Sequence, residues 1–186
     1  MKVLANAVST HYQRVLWFMI KAGQWSGDLL RMTPHIPDDK TRVLRAKLIF
    51  EECMETINAL GVQIRFGIDD NEPTPWPLND PESNEVHAHD FVDCGIDCVD
   101  IVEVVDGCCD IKVVTTGTLV AFSIADESHQ EAIDNANLDK FGEGHYIRED
   151  GKLIKPANWE APDVLGILKA QGWEESRTVE ATSEKV

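Results

Sequence analysis

The sequence predicts an all-α protein, a bundle of helices. Two stretches, one from the Asp38-Asp39 cap to about residue 59 and one over residues 98 to 124, place acids and apolar side chains three and four positions apart over runs too long for a single strand. A third, residues 3 to 22, repeats Val3, Leu4, Val8, Val15, Leu16, Phe18, Met19 and Ile20 at the same mixed spacing.

Taken in order, the first helix is predicted over residues 3 to 22 and stopped by Gly23. "PHIPDD" connects it to the second, with Asp38 or Asp39 as cap, and Gly61 ends that helix after about Ala59. Residues 62 to 90 differ in kind. "VQIRFG" alternates like a short strand and "DDNEPTPWPLNDPESNE" is rich in Pro, Asp, Asn and Glu, so the segment reads as an inserted loop or hairpin. The third helix, 98 to 124, holds many β-branched residues that favour strand by propensity, and its length decides for helix. A shorter polar helix covers 126 to 140. Asp150-Gly151 in "HYIREDGKLIKP" then signals a tight hairpin near the C-terminus. The reading is one domain over 1–172 with a flexible tail over 173–186.

At 186 residues the chain is long enough to bury a core without staples. It carries 33 acids against 17 Lys and Arg, a formal charge of −16, which repels nucleic acid and anionic membranes over most of the surface. The expectation is therefore no DNA or RNA partner and no membrane partner. A small anion could still bind where divalent cations or a few basic residues invert the field. Five cysteines, an odd number with two adjacent, argue against a secreted disulfide framework, and Cys108 and Cys109 read as small core residues. The N-terminal stretch lacks the pattern of a signal peptide, which points to a cytoplasmic protein.

The acids on the long helices carry the chemistry. Glu52 and Glu55 are three apart, so they project to one side of their helix, and Glu103 and Asp106 repeat the spacing, with Asp110 one turn further. If the helices pack antiparallel, four or five carboxylates converge. Left uncompensated, such a group is unfavourable, because like charges raise one another's pKa. A magnesium ion removes the conflict: it takes carboxylate oxygens, keeps several waters and is completed by substrate phosphates. The ordinary alternative for acids at helical spacing is a solvated face. No Glu-x-x-His pair occurs, which weighs against a di-iron bundle.

"EECME" followed by "EVVDGCCD" resembles the Glu-x-x-Glu and Glu-x-x-Asp signature of the MazG-like all-α nucleoside triphosphate pyrophosphohydrolases. "VVTTGTLVAFSI", "NLDKFG" and "YIREDGKLIKPANWEAPD" are similar to the downstream pattern of its phosphoribosyl-ATP pyrophosphohydrolase-like members, often found in phages, so the likeness spans most of residues 40 to 165. The resemblance implies a helical bundle, a homodimer or homotetramer, that hydrolyses a nucleoside triphosphate to the monophosphate and pyrophosphate with Mg2+, or Mn2+ in its place. It implies Glu52, Glu55, Glu103 and Asp106 as metal ligands. Glu51 would be the base that prepares the attacking water or a ligand to a further metal. Asn137 and Lys140 match an Asn-x-x-Lys that holds the nucleotide phosphates. Arg148 would add to that charge, Asp110 would contact sugar or metal, and Trp25 lies in a region that contributes to the nucleotide pocket. The long spacing between Glu55 and Glu103 departs from the compact family pattern, so the 62–90 insertion must loop out. The rival expectations are a phosphohydrolase releasing inorganic phosphate and a non-catalytic helical binding or assembly protein.

Overall fold

The computed structural model describes residues 7–25, 27, 32–64, 91–149, 151 and 153–174. Among them the chain is mostly helical, with five α-helices and two small antiparallel hairpins. They fall in two compact units, Met1–Arg42 with Thr116–Val186 and Val43–Thr115.

In the first unit, helix α1 spans Thr10–Lys21, and residues 7 to 9 of the predicted 3 to 22 are not helical, residues 3 to 6 lying outside the described residues. Ser9 is extended and its hydroxyl accepts from the Tyr12 N–H at 3.0 Å, so the cap sets the start that apolar spacing alone puts too early. Tyr12, Val15, Leu16 and Met19 form its buried face, and Gly23 turns the chain away at φ +68°. Helix α4, Glu127–Leu138, is joined to the start of α1 through Asp126, whose carboxylate accepts from the Ser9 N–H at 2.8 Å and the Ser9 hydroxyl at 2.5 Å. A 3₁₀ turn, Asp139–Phe141, extends α4. Helix α5, Val164–Ala170, has no counterpart in the sequence pattern: it is too short for periodicity to register, and Asp163 caps it by accepting from the Gly166 N–H at 2.8 Å. Past its end, the Gln171 amide makes two 3.0 Å hydrogen bonds to the backbone N–H and C=O of Ala125, all of them buried.

Helix α2, Asp39–Ala59, matches its expected span, with the Asp38 carboxylate accepting from the Thr41 N–H at 2.7 Å and Gly61 at φ +70° closing it. Helix α3 is Ile101–Ala121, shorter at both ends than predicted. Asp100 accepts from the Val102 and Glu103 N–H groups, Ile96–Cys98 before it is a 3₁₀ turn, and Ser123 at φ 55° marks the exit. Strand β1, Val62–Ile64, pairs antiparallel with β2, Phe91–Asp93, so the ends of the predicted insertion close on each other; the rest of it lies outside the described residues. Strands β3, Tyr146–Ile147, and β4, Leu153–Ile154, form the C-terminal hairpin, with Gly151 at φ +82°. Asp150 and Lys152, between the two strands, lie outside the described residues.

All five cysteines are free. Cys108 and Cys109 are exposed rather than core residues, because they fall on the side of α3 away from its buried Gly107. Among the described residues no helix is long and apolar enough to cross a membrane. Most of the predicted tail, 175–186, lies outside the described residues; Trp173 and Glu174 are within them.

Candidate functional site

Helices α2 and α3 run antiparallel, and Gly107 permits a close approach between them. The Asp100 N–H donates to the Ala59 carbonyl at 2.9 Å, which joins the end of α2 to the start of α3. Further along, a Cβ on Gly107 would stand 2.3 Å from Thr56 Oγ1, 3.1 Å from its Cβ and 3.2 Å from its Cα. Thr56 is itself buried and its hydroxyl donates to the Glu52 carbonyl at 2.7 Å. With Thr56 set against Gly107, the turn of α2 that carries Glu52 meets the turn of α3 that carries Asp110.

The electrostatics follow from that register. The partly buried Glu52 carboxyl is held above its ordinary pKa, by burial first and then by the negative charges of Asp110, Glu55, Glu51 and Asp106. All four charges acting on it are acidic. Glu52 thus lies within electrostatic reach of four other acids singled out in the sequence, Asp110 foremost. Glu103 is not one of this group. It lies in the first turn of α3, seven residues and so roughly 10 Å along the axis from Asp110. Glu51 is exposed and forms an i,i+4 ion pair with Lys47 at 3.3 Å.

The donor chemistry of Glu52, Glu55, Asp106 and Asp110, carboxylate oxygens only, suits a hard cation such as magnesium that retains much of its water. Among the described residues, no three His, Cys, Asp or Glu side chains stand close enough to hold a metal ion unaided.

The other predicted residues lie in the first unit. Asn137 is at the end of α4 and its Oδ1 accepts from Lys140 Nζ at 2.8 Å. Lys140 also stands 5.7 Å from the ring centre of Trp159, whose indole N–H donates to the Ala136 carbonyl at 2.7 Å. Lys155, which falls within "YIREDGKLIKPANWEAPD" but has no role implied there, lies on the same ring at 3.9 Å. Only folding brings it there, since no local spacing links Lys155 and Trp159 to α4. Arg148 is exposed in the loop after β3. Trp25 is buried, and its ring lies against Gly27. A cleft of about 550 Å³ lined by Thr33, His35, Ile36, Trp173 and Glu174 contains none of the predicted residues.

Compared with known proteins, the chain matches no family model and no curated protein.

Proposed function

We propose that the protein is a magnesium-dependent hydrolase that converts a nucleoside triphosphate to the monophosphate and pyrophosphate. The observation that carries this reading is the set of acids around Glu52, crowded by four like charges at a helix crossing. An arrangement that raises the proton affinity of its own central carboxylate gains most from a divalent cation. The resemblance of "EECME" and "EVVDGCCD" to the pyrophosphohydrolase signature supports the same conclusion.

Glu52, Glu55 and Asp106 would hold the metal, with Asp110 as a further ligand. When bound, magnesium offsets charge on the phosphoryl oxygens and polarises a water. Glu51, at the edge of the group beside Lys47, would take the proton as that water attacks the α-phosphorus and the bond to the β-phosphate oxygen breaks. Asn137 and Lys140 would bind phosphate oxygens. A homo-oligomer fits the second unit, where Val43, Phe50, Ile101, Val102 and Val105 are all more than half exposed.

One observation favours a second reading. An exposed i,i+4 pair such as Lys47–Glu51 is ordinary on a solvated helix face, as in a non-catalytic helical assembly protein. Incubation with each ribo- and deoxynucleoside triphosphate and magnesium, followed by ion-exchange analysis of products, separates the two. Monophosphate and pyrophosphate are expected, and Glu52→Gln or Asp106→Asn should abolish their formation with helicity intact. Inorganic phosphate as product, or full activity in both variants, would overturn the assignment; no turnover of any triphosphate would favour the second reading.

A further inference from the structure

We infer that Lys155 and Lys140 form a two-cation clamp for a phosphate chain, with Trp159 as the residue that positions both. The inference rests on the assignment of Asn137 and Lys140 to phosphate binding and extends it to residues outside that motif.

Three observations meet here. First, Trp159 is anchored by its own indole N–H to the Ala136 carbonyl, so its ring has a fixed place beside the end of α4. Second, both ammonium groups pack on this one ring, Lys155 Nζ at 3.9 Å and Lys140 Nζ at 5.7 Å from its centre. They are therefore no more than about 10 Å apart, one Debye length at 0.1 M salt, and their fields add. Third, among the described residues neither lysine has a carboxylate partner, in a chain with 33 acids and 17 Lys and Arg.

Two like charges do not gather without a reason. The negative face of an indole offsets part of their repulsion, and a cation on an aromatic face keeps its N–H donors for a further ligand. Lys140 uses one of its three donors on Asn137 Oδ1. What the remaining donors fit is an anion with several oxygens along a short chain, such as a di- or triphosphate. A single carboxylate would engage one lysine and leave the other repelled.

The test uses inorganic tripolyphosphate as probe, titrated calorimetrically into the full chain without divalent metal at low ionic strength. Binding is expected, weakening as salt rises. Lys155→Gln should lose roughly tenfold in affinity, the size of one hydrogen bond between charged groups, and Lys155→Arg should restore most of it. Trp159→Leu should lose several-fold and Trp159→Phe, which keeps a ring face, less. Melting curves on each variant separate loss of fold from loss of the clamp, and the lysine variants decide the matter even if Trp159→Leu fails to fold. Wild-type binding unchanged in Lys155→Gln, or no binding by the wild type, would overturn the clamp. Failure of nucleotide hydrolysis with tripolyphosphate binding intact would instead sink the proposed enzyme and leave the clamp standing.

Discussion

Replacing Gly107 with alanine should force α2 and α3 apart. The new Cβ would meet Thr56 Oγ1 at 2.3 Å, Thr56 Cβ at 3.1 Å and Thr56 Cα at 3.2 Å. Rotating the hydroxyl away relieves the first contact and breaks its 2.7 Å bond to the Glu52 carbonyl. The other two involve the stem of the side chain and the helix backbone, so a rotamer change cannot clear them. Overpacking of this kind costs about 1–3 kcal/mol, and the rigid partner puts Gly107→Ala toward the upper end. Against this, alanine in a helix interior is favoured over glycine by about 1 kcal/mol. The net loss is therefore about 2 kcal/mol, a fall in Tm of roughly 4–8 °C for a chain of this size. Circular dichroism melting of the wild type, Gly107→Ala, Thr56→Ala and the double variant checks it. The cost of Gly107→Ala should shrink by about 1 kcal/mol when Thr56 is already alanine, since neighbours in contact are not additive. A Gly107→Ala protein more stable than the wild type would refute the close crossing, because it would show an unobstructed helical glycine.

Two further predictions concern the acids and the α5 anchor. Because burial first and then like charges raise the folded Glu52 pKa, the penalty is absent below the unfolded carboxyl value, builds as pH rises from there to the folded one and is complete above it. Without metal, Glu52→Gln should thus match the wild type in Tm near pH 4 and exceed it near pH 7, with magnesium narrowing the gap by stabilising the wild type more; a variant less stable at pH 7 would contradict the crowding. Gln171→Ala should cost about 2–4 kcal/mol in urea unfolding, as it strands the buried N–H and C=O of Ala125, and a loss under 1 kcal/mol would mean water replaces the amide.

Much of this protein can be read from local sequence. Helix α2 lies where Asp38 and Gly61 put it, and the three-residue spacing of Glu52 and Glu55, like the downstream Asp106 and Asp110, is intrinsic to any helix those segments form. Local signals fail where a boundary depends on a cap reinforced from afar, as at Ser9 and Asp126, or where an element is as short as α5. Tertiary structure alone decided which acids meet. Both Glu103 and Asp110 are at plausible helical spacing from Asp106, but the Gly107–Thr56 contact sets the register, and in that register Asp110 rather than Glu103 acts on Glu52. It also placed Lys155 beside Lys140 on Trp159, a meeting made by a ring anchored 23 residues away in sequence. Periodicity reports which face of a helix a residue occupies; the partner that face meets is set by close packing between segments that the chain brings together only when it folds.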